Sequence, residues 1–188
     1  RCFTDEEYAA AGIELVDNVN DCDVIFGVKE VKFEMLAEGK TMLFFSHTIK
    51  KQPYNRDLLQ EILKKKVWMV DYETLTYSNG FRVLGFGRYA GIVGAYNALI
   101  AHGKRYNSFE LKPAFQCEDM KEMGREMKKV KLGNAKIIIS GGGKVAKGSK
   151  ETLNAAGIRE VSIPEFLNQT YDEPVYCNAD ILDYHEKD

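Results

Sequence analysis

Along the chain, short apolar runs closed by turn residues alternate with segments whose apolar positions recur at the helical period. That alternation predicts a parallel sheet with crossover helices, so the fold class is α/β. Strands are expected at Asp23 to Val28, Thr41 to Ser46 and Val67 to Val70, the first two as near-continuous apolar runs buried on both faces. Between the second and third, Asn55 to Lys66 reads as a helix starting just after Pro53. Leu58, Leu59, Ile62 and Leu63 form its apolar stripe, while Arg56, Glu61, Lys64 and Lys65 face water. Phe81 to Phe86 follows the Asn79-Gly80 turn as a short strand, and Gly91 to His102 reads as a helix whose small residues imply close packing.

The second half continues the alternation without an internal repeat. Ser108 to Gln116 is irregular around Pro113, and Glu118 to Leu132 is a charged amphipathic helix with Met120, Met123, Met127 and Val130 on one stripe, a pattern that reads as core packing. Ala135 to Ser140 is a strand, followed by Gly141-Gly142-Gly143, a helix to about Ala156 and a further strand at Glu160 to Ile163. The expected organisation is a Rossmann-like catalytic domain over 1–110, a connecting segment and helix over 111–134, and the start of a Rossmann nucleotide-binding domain over 135–188.

Composition narrows the class. The 188 residues are 45% hydrophobic and 29% charged with a formal net charge of -2, ordinary for a globular protein. The lysine runs at 50–51, 64–66 and 128–131 are offset by nearby acids, so no nucleic-acid footprint is read. Cys2, Cys22, Cys117 and Cys177 form no C-x-x-C pair and have no His at ligand spacing, which argues against a metal site or a disulfide framework and fits reduced thiols in a cytoplasm. No stretch approaches the ~18 apolar residues of a membrane span, and the first residues lack a signal-peptide core. Both ends read as cuts in a longer chain.

In open α/β sheets, ligands bind beyond the carboxyl ends of the strands. There the first strand delivers Lys29 and Glu30, the second His47 and Lys50, and the third Asp71 and Glu73. Any one of these alone is what a strand end in solvent gives. As a set they bring acid/base groups to one edge, suited to proton transfer at a carbonyl or imine. His102 and His185 are read as having no such role. A second signal is strand, Gly141-Gly142-Gly143-Lys144-Val145-Ala146-Lys147-Gly148, helix, a G-x-G-x-x-A pattern that lets backbone and helix N-terminus approach a pyrophosphate. The acidic residue expected about 20 residues later is unclear, so the cofactor is NAD or NADP.

The stretches G-V-K-E-V (27–31), F-F-S-H-T-I-K-K-Q (44–52), D-Y-E (71–73), F-G-R-Y-A-G (86–91) and G-G-G-K-V-A-K-G (141–148) resemble the lysine/2-oxoglutarate reductase half of the saccharopine-pathway enzymes. They resemble alanine dehydrogenase and the transhydrogenase α subunit more loosely. The F-F-S-H-T-I-K-x-Q string carries most of the specificity. The resemblance implies an enzyme that joins the ε-amine of lysine to 2-oxoglutarate and reduces the imine with a nicotinamide cofactor, or oxidises saccharopine in reverse. It makes Lys29 and His47 the acid/base pair, with Glu30, Lys50, Asp71 and Glu73 orienting substrate and Gly141, Gly143, Ala146 and Gly148 carrying the cofactor turn. It also suggests a homo-oligomer. The family's first β-α-β unit, with its carboxylate-binding Arg and Lys, and the rest of its nucleotide domain are not in this sequence. The readings that compete are an alanine dehydrogenase, a nucleotide-binding relative without turnover, and a generic α/β binding module.

Overall fold

The computed structural model describes residues 3–185, so Cys2 and the two chain ends lie outside the described residues. By contacts the chain divides into two compact units, 1–85 and 86–188. The division falls before the long helix rather than at 110, because that helix packs within the second unit.

The first unit opens with a short helix, α1 (Asp5–Ala10), closed at its start by a Thr4–Glu7 capping box. Strands β1 (Val24–Phe26), β2 (Thr41–Phe44) and β3 (Trp68–Asp71) form a parallel sheet in the order β1-β2-β3. The helix α2 (Arg56–Lys64) crosses from β2 to β3. Its buried positions are Leu58 and Ile62, which meet Met42, Phe44 and Leu36. Leu59 and Leu63 are exposed, so the apolar stripe is narrower than expected. The sheet is also covered on one face only. Met42 and Phe44 are buried, whereas Val24, Phe26 and Trp68 are exposed. Beyond β3, Phe81 to Phe86 makes no strand: a single antiparallel bridge, Thr76 to Arg82, closes the turn, and Phe81, Val83 and Leu84 have no sheet to join.

In the second unit, α3 (Gly87–Tyr106) is longer at both ends than the Gly/Ala pattern alone indicated. The Met-rich helix α4 (Met120–Met127) is shorter, because its last bonds tighten to the i→i−3 kind at Lys128, Lys129 and Val130. Met123 and Met127 are buried in the core and Met120 is exposed. Strand β4 (Lys136–Ser140), helix α5 (Lys144–Ala155), strand β5 (Arg159–Glu160), helix α6 (Ile163–Asn168) and strand β6 (Val175–Ala179) follow. The sheet order is β4-β6-β5, all parallel. Strand β5 therefore pairs with β6 and lies at one edge of this sheet. Here β5 has two exposed residues, while Val175, Tyr176 and Cys177 of β6 are buried and take the central place. No strand was expected at 175–179, because Asn178 interrupts a run that begins only after Pro174.

The backbones of α3 and α5 meet at two glycines. A Cβ on Gly91 would lie 1.9 Å from the Val145 carbonyl oxygen, and one on Gly148 would lie 1.9 Å from that of Arg88. Around this contact Ser149 Oγ donates to the Gly91 carbonyl, Thr152 Oγ1 to the Ile92 carbonyl, and Arg88 forks onto the Glu151 carboxylate at 2.6 to 3.0 Å. Gly148→Ala is therefore expected to destabilise the second unit by about 2–3 kcal/mol through overpacking, in urea unfolding. Gly94→Ala, where a Cβ meets nothing within 4 Å, should instead stabilise it by up to about 1 kcal/mol.

Candidate active site

The backbone ladder of the first sheet runs one step past its strands. The Phe45 amide donates to the Val28 carbonyl and the Tyr72 amide to the Phe44 carbonyl, both at 3.2 Å. The three strands thus end level, and Lys29-Glu30, Ser46-His47 and Asp71 to Glu73 leave the sheet at its carboxyl edge.

Asp71, 6% exposed, is tied to intrachain donors. Its Oδ2 accepts from Ser46 Oγ at 2.5 Å, and its Oδ1 accepts from the amides of Glu73 at 2.9 Å and Ser46 at 3.4 Å. Ser46 Oγ in turn accepts from the Thr48 amide at 3.1 Å and lies 2.8 Å from Thr48 Oγ1. These bonds fix the turn in which His47 takes a left-handed conformation, φ 55°. For a non-glycine residue that costs on the order of 1 kcal/mol and persists only where surrounding contacts enforce it.

Held in this way, His47 places Nδ1 against Glu30 Oε1. With the carboxylate accepting at Nδ1, the proton sits there and Nε2 is left for a ligand. Burial pushes the Glu30 carboxyl up, but the His47 hydrogen bond, a backbone amide and the charges of His47 and Lys29 outweigh it and hold the group below its ordinary value. Phe45, 5% exposed, lies beside both cationic candidates: its ring stacks on His47 at 6.2 Å, and Lys29 Nζ is 5.9 Å from its centre.

Glu73 is the most enclosed acid of the edge, its side chain 3% exposed. Oε1 pairs with Lys50 Nζ at 3.2 Å and Arg82 Nη1 at 3.1 Å, and the buried Oε2 has no partner among the described residues. The structure therefore brings Lys29, Glu30 and His47 into one group and Lys50 and Glu73 into another, joined by the turn in which the Lys50 amide donates to the His47 carbonyl. Sequence reasoning missed Phe45, Ser46 and Arg82. The first two lay in the most specific string, but Arg82 sits where no local pattern marks it.

In the second unit, Gly141 has φ +85°, and a Cβ there or on Gly143 would meet nothing within 4 Å. Asn178 Nδ2 donates to the Gly141 carbonyl at 2.8 Å and holds the turn. No side chain caps α5, so its first amides are free for an anion. A cavity of about 540 Å3 adjoins, lined by Ser140, Gly143, Lys144, Val145 and Ala146 along with apolar residues of α3. The turn thus fits a phosphate-bearing cofactor at Gly141 and Gly143. Gly148 does not line that cavity: it lacks a Cβ because α3 crosses there. Asp180 Oδ2 would lie 3.7 Å from a Cβ at Gly142, an acid beside the turn that is itself bonded to the Ile181 amide through Oδ1.

A parallel α/β chain with acid/base groups at the carboxyl edge of one sheet and a glycine turn opening the next has the layout of the Rossmann-like dehydrogenase folds. L-alanine dehydrogenase, a solved structure 16% identical in sequence, superposes with a TM-score of 0.56 over 94% of this chain and 48% of its own, a likeness of fold. Residues 1–93 match the alanine dehydrogenase/PNT N-terminal domain. It is 33% identical over 172 residues to the mitochondrial alpha-aminoadipic semialdehyde synthase of Bos taurus, covering 82% of this chain and 19% of that protein. It is 27% identical over 177 residues to the NAD(+), L-lysine-forming saccharopine dehydrogenase of Neurospora crassa, covering 87% of this chain and 48% of that protein. The chain therefore spans between about a fifth and about half of these relatives. No helix among the described residues is long and apolar enough to cross a membrane.

Two outcomes follow from this geometry. Asp71→Ala leaves the Ser46 hydroxyl and two amides without their acceptor and should cost about 2–3 kcal/mol in chemical denaturation. Glu30 is held below 4.5, so its contribution to stability is fully present above that pH and is lost as pH falls through its folded value. The stability difference between the protein and its Glu30→Gln variant should accordingly shrink progressively as pH falls below about 4.5.

Proposed function

We propose that this chain carries the acid/base groups and the cofactor turn of an oxidoreductase of the saccharopine-forming lysine/2-oxoglutarate reductase type, acting in either direction. The observation that carries the reading is the Lys29, Glu30 and His47 group around Phe45 at the carboxyl edge of a parallel sheet. The names of the bovine and Neurospora relatives support it. A bound NAD or NADP supplies or accepts the hydride. In this reading Lys29 handles protons on the substrate amine and on the carbinolamine oxygen as water leaves to form the imine. His47, through Nε2, is the partner acid/base, and Glu30 keeps its ring oriented and its Nδ1 protonated. Glu73 holds Lys50 and Arg82 at the edge, where Lys50 can meet a substrate carboxylate. Gly141 and Gly143 give the phosphates backbone access. A reducing compartment belongs to the same reading, cytoplasmic by the thiols, although the bovine relative is named mitochondrial.

The likeness to L-alanine dehydrogenase favours a second reading, reductive amination of pyruvate by ammonia. The two separate in one assay of the full-length protein, following NADH and NADPH oxidation with lysine plus 2-oxoglutarate or with pyruvate plus ammonia. Lysine-dependent oxidation is expected, with kcat/KM reduced about 10²- to 10⁴-fold in Lys29→Met and in His47→Gln. Oxidation with pyruvate and ammonia alone would transfer the assignment to alanine dehydrogenase. Cofactor binding without any turnover would leave a nucleotide-binding relative.

A further inference from the structure

NAD and NADP differ at the adenosine ribose, which carries a free hydroxyl in one and a phosphate in the other. In dinucleotide-binding sheets that position is read by an acid at the end of the strand beside the glycine turn. The customary spacing of about 20 residues from turn to acid holds where the strand next in sequence is also next in space. In the second unit it is not. Strand β6 lies between β4 and β5, in register with β4 from Lys136 opposite Val175 to Ser140 opposite Ala179. Glu160, which stands at about the customary spacing, ends β5 on the far side of β6. Both its oxygens are engaged, Oε1 by Lys150 Nζ at 2.7 Å and Oε2 by the Tyr176 hydroxyl at 3.1 Å. Glu165 is taken up by Ser162 in the capping box of α6.

The acid at the end of β6 is Asp180. The Gly141 amide donates to the carbonyl of Ala179 at 2.7 Å, and Asn178 Nδ2 donates to the Gly141 carbonyl, so the turn and the end of β6 are tied together. Asp180 is exposed, and its Oδ2 lies 3.7 Å from where a Cβ on Gly142 would stand. Its Oδ1 accepts from the Ile181 amide at 2.7 Å, and the side chain closes a capping box with Asp183. These bonds fix the group without exhausting the roughly four acceptor positions of a carboxylate. Asp180 forms no ion pair among the described residues, so a second negative charge brought beside it would meet no paired cation there.

We propose that Asp180 reads the adenosine ribose and makes this chain select NAD over NADP, an inference that rests on the reading of Gly141 and Gly143 as a cofactor turn. A free ribose hydroxyl donates to the carboxylate in a charge-assisted bond, whereas a phosphate in its place sets two like charges against each other.

The test is calorimetric titration of the full-length protein with NADH and, separately, with NADPH, for the unaltered protein, Asp180→Asn and Asp183→Asn. The unaltered protein should bind NADH at least about tenfold tighter than NADPH, the scale of one charged hydrogen bond. Asp180→Asn keeps an acceptor for the Ile181 amide but loses the charge, and should lower that preference about tenfold. Asp183→Asn loosens the same turn, because Asp183 Oδ2 accepts from the Asp180 amide at 2.6 Å, and should leave the preference where it was. The inference is overturned if the unaltered protein binds both cofactors equally or prefers NADPH, if Asp180→Asn keeps the original preference, or if Asp183→Asn shifts it as far. Binding of neither cofactor would remove the cofactor reading itself, and the inference with it.

Discussion

The first unit depends on a single carboxylate. Asp71 ends β3, yet its oxygens reach across to the residue that ends β2 and back to the Glu73 amide in its own loop. A backbone ladder can bring two parallel strands level, but it cannot hold the loops beyond them, because those loops have left the hydrogen-bonding direction. Asp71 does so in a place that water does not reach, where a charge-assisted bond is stronger and its loss costs more. The left-handed His47 and its contact with Glu30 are both downstream of that bracket. Asp71, expected from the sequence among the substrate-orienting residues, thus directs acceptor capacity inward to the turn it holds.

The second unit is organised by close backbone approach instead. Gly91 and Gly148 let α3 and α5 cross with their chains nearly touching, and hydroxyls from Ser149 and Thr152 satisfy carbonyl groups on the facing helix. This crossing packs α5 firmly, and α5 is the helix whose free amides open the glycine turn. The last glycine of the motif therefore serves the helix that positions the turn, while Gly141 and Gly143 supply the turn itself.

What the sequence made legible follows from how local each signal is. The first three strands and their crossover helix were readable because apolar runs and helical periodicity lie within a few residues of one another, and the candidate acid/base residues sit at their ends. The reach of burial was not readable. Whether Phe26 or Leu63 is covered depends on neighbours distant in the chain, and both are exposed. Strand β6 escaped notice because its polar Asn178 is accommodated by bonds to the Ile139 and Gly141 carbonyls, a tertiary arrangement that no period announces. Arg82 is of the same kind: it matters only because an irregular loop returns it to Glu73.

The charges at the carboxyl edge are arranged as two differently enclosed pairs. Glu73 is nearly sealed and shared by Lys50 and Arg82, whereas Glu30 is partly open and bonded to an imidazole. Sharing one enclosed carboxylate between two cations fixes that part of the edge, because removing either partner would leave a buried charge less well compensated. In the half-open Glu30 and His47 pair, burial works against the Glu30 charge and the hydrogen bond from His47 works for it. With Lys29, Lys50 and Arg82 set against Glu30, Asp71 and Glu73, the formal charges of the edge cancel when His47 is neutral.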